Sequence, residues 1–179
     1  MPAAKPLGKK VAHKTGYKTV DQAAYKVAEP SLSWQSGPPI PTQRSFIDTN
    51  LLVYADSDDE PVKQRQAAQL LGALLLHGKG VISTQVLNEY ANVALGKLKV
   101  PHTRLRQQLQ FHRRFEVVNI TPDIIDTAVD LHQTRSLSFH DALIVASAQV
   151  AGCSVLYSED MNAREVVNGV RIMNPFTQN

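Results

Sequence analysis

The sequence predicts an α/β domain with a mostly parallel central sheet of about five short strands flanked by helices, preceded by a poorly structured N-terminal extension. Three observations predict it. From Arg44 onward, short runs rich in β-branched residues alternate with longer stretches of helical periodicity, and strands separated by helices pair in parallel. Proline and capping signals stand at the starts of those helical stretches. Before Arg44 there is little sustained apolar periodicity, and Ser36-Gly37-Pro38-Pro39-Ile40-Pro41 can continue neither a helix nor a sheet ladder.

The elements follow in order. Residues 1–43 read as a basic extension with a linker at 36–43, a short helix from Val20 to Ala28, and Trp34 as an anchor on the domain or on a partner. Residues 44–179 form the folded domain. Arg44–Ile47 is the first strand, and Pro61–His77 a helix with proline near its start, where a missing N–H costs nothing. Gly80–Ser83 is the second strand, and Val86–Leu95 a helix that Ser83 or Thr84 can cap. Pro101 opens a helix reaching Phe115, Glu116–Ile120 is the third strand, and Thr121-Pro122-Asp123 starts a helix through Leu131. Ser138–Gly152 is apolar nearly all round (Ala142, Leu143, Ile144, Val145, Ala146), as a buried helix must be. Ser154–Tyr157 and Val170–Met173 supply the last two strands.

Composition excludes several classes. Cys153 is the one cysteine, so an internal disulfide and a cysteine-based zinc site are both excluded. No apolar run approaches the roughly 18 residues of a membrane span, and the start lacks the apolar block of a secretory signal, which predicts a cytoplasmic protein without a membrane partner. The net charge of +3 is unevenly spread: residues 1–43 carry six lysines against Asp21 and Glu29, whereas residues 44–179 hold 13 basic and 14 acidic side chains. The basic excess belongs to the extension, where a solvated leader explains it at least as well as attraction to nucleic acid.

In open parallel sheets, ligands bind at the edge where strands end and helices begin. Asp48 directly follows the first strand, and Asp160 lies shortly after the fourth. Glu89 falls early in the helix after the second strand, and Asp141 in the first turn of the buried helix. These four acids converge on one edge if the strand order brings their elements together. Two carboxylates ~5 Å apart repel by ~3 kcal/mol at an effective dielectric of about 20, so such a group needs a cation or protons. An all-oxygen set suits Mg²⁺ or Mn²⁺, and Asp48 and Asp141 are the expected direct ligands. Ordinary roles compete for each acid: Asp48 suits a helix N-cap, Asp141 nearly completes a capping box with Ser138, and Asp160 beside Glu159 suits a solvated turn. Glu89 is harder to explain so, because it shares a helix face with Val86 and Val93.

These residues, in this order, resemble the PIN-domain family. The motifs are Phe46-Ile47-Asp48-Thr49-Asn50, Asn88-Glu89, Ser138-Phe139-His140-Asp141-Ala142 and Leu156-Tyr157-Ser158-Glu159-Asp160. The last, continuing to Gly169-Val170-Arg171-Ile172-Met173-Asn174-Pro175-Phe176, is most similar to VapC-type toxins. The resemblance spans Arg44 to Phe176 and implies a PIN-like fold, a metal-dependent endoribonuclease acting on RNA, a homodimer, and a small cognate antitoxin that masks the site. It implies a catalytic quartet of Asp48, Glu89, Asp141 and Asp160, with Asn50 and Ser158 orienting a carboxylate or a metal-bound water. The long N-terminal extension departs from the family pattern.

An acidic site repels RNA, so basic groups must hold the backbone. Lys97, Lys99, Arg104, Arg106, Arg113 and Arg114 form a cationic block with no acid between Lys97 and Phe115, although a solvated helix face reads the same way. The six histidines show no metal-ligand spacing and read mainly as surface residues, with His140 of interest because it adjoins Asp141. Two rivals remain: a non-catalytic PIN-fold module that binds RNA or a protein, and a phosphoaspartate enzyme or receiver. The latter would want an acid at Asn50 or a lysine after a late strand, and neither is evident.

Overall fold

The computed structural model describes residues 41–177. The expectations for Val20–Ala28, Trp34 and most of the linker lie outside the described residues. Strands β1 (Ser45–Ile47), β2 (Gly80–Ser83), β3 (Glu116–Val118), β4 (Val155–Tyr157), β5 (Val166–Val167) and β6 (Val170–Met173) form one sheet in the order β3-β2-β1-β4-β6-β5. All neighbouring pairs are parallel except β5 with β6. The helices are α1 (Thr49–Asp56), α2 (Pro61–Leu76), α3 (Thr84–Gly96), α4 (His102–His112), α5 (Pro122–Arg135) and α6 (Phe139–Val150).

The fold is the α/β one expected, with six strands among the described residues rather than about five. The addition is β5, two residues long and antiparallel to β6. Most helix ends move by a few residues. Thr84 begins α3 because the Ser83 hydroxyl accepts the Val86 amide at 3.3 Å. Pro101 sits at the N-cap of α4 rather than inside it, and the helix stops at His112. The third strand ends at Val118, and α5 runs on to Arg135, where Ser136 takes a left-handed conformation.

Every residue of β1 and β2 is buried. Successive strand residues face opposite ways, so both faces of the central sheet are covered, which explains why these strands read as continuous apolar runs. Helix α1 packs against both α2 and α3, α3 packs against α4, and α5 lies along α6, whose residues Ala142–Ala148 are all buried. Gly80 is required where β2 begins, since a Cβ there would stand 2.6 Å from the Phe115 ring. Gly152 follows α6 with φ +66, a conformation glycine adopts without strain. No helix among the described residues is long and apolar enough to cross a membrane.

The strand order fixes where function belongs. From β1 the chain moves outward to β2 and β3, then returns to place β4 against the other side of β1. Between β1 and β4 the winding direction reverses, and crevices at such reversals are where open parallel sheets bind ligands.

Candidate active site

Asp48 and Asp160 flank this reversal. Ile47 and Tyr157 are paired across β1 and β4, and the Asp48 amide donates to the Tyr157 carbonyl at 3.0 Å, continuing the ladder past the strand end. Asp48 is the N-cap of α1, so the ordinary capping role is real: its Oδ1 accepts the Thr49 amide at 2.6 Å. Its Oδ2 accepts the Ser158 hydroxyl at 2.7 Å and the Asn50 amide nitrogen at 3.1 Å. That same nitrogen lies 3.4 Å from Asp160 Oδ2, so Asn50 bridges the two acids.

Glu89 reaches this group from α3. Its Oε2 accepts the Thr49 hydroxyl and its Oε1 the Gln85 amide nitrogen, both at 2.8 Å. Asp141 stands in the first turn of α6 and is half-buried. The Ser138 hydroxyl accepts the Asp141 amide at 3.1 Å and donates to Asp141 Oδ2 at 2.7 Å, so the capping geometry read from the sequence is present. The link between this turn and α3 is Gln85, whose amide nitrogen also lies 3.3 Å from the His140 carbonyl.

The electrostatics single out Asp48. It is 7% exposed, and its pKa is pushed up to about 6, chiefly by burial. The Ser158 hydroxyl and the Thr49 amide pull it down, while the nearby Glu89 and Asp160 carboxylates push it further up. Among the described residues, none of the four acids forms a salt bridge. Nor do any three His, Cys, Asp or Glu side chains group closely enough to hold a metal ion by themselves. The donor set nonetheless fits a hard cation: it is all oxygen, it lacks a positive partner among the described residues, and magnesium takes only one or two direct carboxylates and keeps several waters.

Glu159 belongs to another cluster. Lys63 Nζ lies 2.7 Å from its Oε1 and 3.2 Å from the Tyr54 hydroxyl, stacked 4.6 Å over the Tyr54 ring. Burial alone would raise the Glu159 carboxyl, but the Lys63 and Tyr54 bonds hold it below its ordinary value. Asp160, left exposed beside it, is the one that shares a donor with Asp48.

Residues 45–168 match the family model described as the PIN domain. The chain belongs to the PIN-domain family. Among solved structures, it is similar to a toxin–antitoxin complex from Klebsiella pneumoniae, with 28% identity and a TM-score of 0.57, over 74% of this chain and 98% of that one. It also shares its fold with the sarcin–ricin loop cleaving toxin VapC20 of Mycobacterium tuberculosis (18% identity, TM-score 0.52, 65% of this chain and 89% of that one). A third fold relative is VapBC2 from Rickettsia felis bound to a DNA fragment from its promoter (19% identity, TM-score 0.54, 73% and 97%). No curated protein matches the chain.

Two features of this PIN domain escaped the sequence reading. Gln85 belonged to no motif, although it stands one helical turn before Glu89. His112 is not a surface residue: it is 1% exposed, its ring lies 4.7 Å from Tyr90, and its Nε2 is 3.3 Å from Asp56 Oδ2. Leu105 and Leu109, seven and three residues earlier on the same helix face, carried the signal that this position faces inward.

The six basic residues end up along the end of α3, on α4 and just after it. All are exposed except Arg104, which is half-buried, and none pairs with an acid among the described residues. Lys97 follows Glu89 by eight positions, so its backbone is roughly 12 Å along the chain's helical path from the acid.

Proposed function

We propose that this chain is a divalent-metal-dependent endoribonuclease that hydrolyses RNA phosphodiester bonds as the toxin of a toxin–antitoxin pair. One observation carries the reading: at the β1/β4 reversal, a buried carboxylate with a pKa pushed up to about 6 shares a donor with a second acid and, among the described residues, has no positive partner. Burying a charge this way is unfavourable unless a cation completes the site. Similarity to the Klebsiella pneumoniae toxin–antitoxin complex over nearly all of that chain supports the toxin reading, and the shared fold with an RNA-cleaving toxin agrees with it.

In this reading Asp48 and Asp141 are the direct ligands, and Glu89 and Asp160 complete the catalytic quartet by holding coordinated waters or a second ion. Asn50 and Ser158 fix both contacts to Asp48 Oδ2, so the carboxylate presents a defined lone-pair direction. When bound, Mg²⁺ or Mn²⁺ supplies an acidified water and positive charge opposite the phosphorane-like transition state. Lys97, Lys99, Arg104, Arg106, Arg113 and Arg114 grip the RNA backbone away from the cut, where they do not compete with the cation. A small antitoxin masks the acidic edge. A homodimer, which the family resemblance implies, completes the reading.

The test is cleavage of total cellular RNA by the purified protein and by Asp48→Asn, each with Mg²⁺, Mn²⁺ or chelator, with fragment termini mapped. Discrete metal-dependent cuts that vanish in the variant are expected. Absent or metal-independent cleavage by folded protein would sink the reading and favour a non-catalytic binding module.

A further inference from the structure

Gln85 makes two bonds that join separate parts of the acidic edge. It lies in the first turn of α3, four residues before Glu89, so the two side chains share one helix face. Its Nε2 donates to Glu89 Oε1 at 2.8 Å and to the carbonyl of His140 at 3.3 Å. His140 immediately precedes Asp141 in the opening turn of α6. A common Gln–Glu pair on a helix surface would account for the first bond only. The second crosses to a different helix, 55 residues along the chain.

The orientation of this amide follows from its partners. A carboxylate and a carbonyl are both acceptors, so the NH₂ end must face them. Its other end shows the consequence, for Gln85 Oε1 is buried without a hydrogen-bond partner among the described residues. Asn50 repeats the pattern on the opposite side: Nδ2 serves Asp48 and Asp160 while Oδ1 is buried and unpartnered. Both amides turn their donors to the acids at the expense of their own oxygens. Such a cost persists when the acids' geometry is what the amides serve.

We infer that Gln85 is a positioning residue for the metal site, holding the Glu89 carboxylate against the opening turn of α6 and so fixing Glu89 relative to Asp141. The inference rests on the metal-dependent reading above. Glu89 accepts one bond on each oxygen, Thr49 on Oε2 and Gln85 on Oε1, which fixes the plane of the carboxylate. With Gln85 gone, Thr49 alone holds it, the plane can rotate, and the tie from α3 to the Asp141 turn is lost. A site whose acids are already oriented has less freedom to lose when a cation binds.

The experiment measures Mn²⁺ binding to the full chain by the loss of free-ion paramagnetic signal, for wild type, Gln85→Ala, Gln85→Met and Gln149→Ala. Methionine keeps the aliphatic stem, so it carries the test if alanine unfolds the helix, and metal-free melting curves establish which variants are folded. Gln149 is the control, because it makes a similar side-chain bond to a backbone carbonyl, that of Asn168 at 3.1 Å, near the far end of α6. Loss of Gln85 should raise the Mn²⁺ Kd about 10-fold or more. RNA cleavage should recover toward wild type at saturating Mn²⁺, and Gln149→Ala should bind as wild type does. A purely structural role would lower the melting temperature and leave the Kd unmoved. Folded Gln85 variants that bind Mn²⁺ like wild type overturn the inference alone, whereas wild type that binds no Mn²⁺ overturns both it and the metal-dependent reading.

Discussion

Helix α1 carries a buried aspartate side chain at each end, and the protein treats the two in opposite ways. At the N-terminus Asp48 enjoys the favourable end of the helix dipole, yet its contacts are neutral donors and its charged neighbours are Glu89 and Asp160. At the C-terminus Asp56 faces the unfavourable end, with its side chain 7% exposed. There the Tyr90 hydroxyl donates at 2.6 Å and the His112 ring lies at 3.3 Å. Local secondary structure would assign the comfortable position to Asp48, but the packing reverses that order. The lesson is that burial alone does not mark a site. A buried acid that sits among other carboxylates does.

The largest effect is expected at the Asp56 end. Replacing His112 with alanine leaves a cavity and strips Asp56 of its imidazole, so urea unfolding should show a loss of roughly 3–5 kcal/mol. Metal-dependent cleavage by the folded fraction should survive. A loss below about 1 kcal/mol would break the comparison.

Asp48→Asn should act with the opposite sign. The folded-state pKa, about 6, exceeds the ordinary value near 3.9, so the folded state takes up the proton more readily than the unfolded chain. The stability this contributes is fully present below about pH 4 and is lost as pH rises through about 6. At pH 7 the metal-free wild type therefore carries a penalty on the order of 1–3 kcal/mol that the variant lacks. With chelator, unfolding measured from pH 4 to pH 7.5 should show a flatter profile for Asp48→Asn. At metal concentrations below saturation, cleavage by wild type should fall as pH drops through about 6, because proton and cation compete for Asp48.

The adjacent pair Glu159 and Asp160 sharpens the same contrast. Asp160→Asn should weaken Mn²⁺ binding by about 10-fold, while Glu159→Gln, which disturbs only the Lys63 and Tyr54 contacts, should leave the Kd unchanged in a calorimetric titration. Equal effects would mean that the two acids do not divide their work as their contacts indicate. Smaller still, each single alanine substitution at Lys99, Arg106 or Arg113 should lower the slope of log affinity for RNA against log salt by about 0.7 if that residue touches a phosphate of a single strand. An unchanged slope would return that residue to the solvated helix face.

Most of the fold was legible because two signals agreed along the chain. Strands β2 and β6 are bounded where their β-branched runs are, and α2 and α6 start at proline and serine signals. Strand β5 was not legible: Val166 and Val167 are two residues in a polar stretch, and only their pairing with β6 makes them a strand. In the site, the acids were visible because Asp48 and Asp160 follow strands, Asp141 opens a helix, and Glu89 shares a helix face with Val86 and Val93. The family resemblance chose Asp160 over Glu159, but nothing in the spacing explained the choice, since the division depends on Lys63 reaching over from α2. Gln85 was hidden for a related reason, as its second partner is a backbone carbonyl on a distant helix that no side-chain pattern announces. His112 could have been read from the Leu105, Leu109 and His112 spacing, had polarity not been taken as exposure.

The central claim is that burial makes the Asp48 charge unfavourable, with Glu89 and Asp160 adding to the cost, and that a divalent cation relieves it. Thermal melting at pH 7 of wild type and Asp48→Asn, each with chelator and with Mn²⁺, tests it most directly. In chelator the variant should melt above wild type. Mn²⁺ at about 100 times its Kd should then raise wild type by the equivalent of about 2.7 kcal/mol and leave the variant nearly unmoved. A variant that melts below wild type in chelator, with Mn²⁺ stabilising neither protein, would contradict the account.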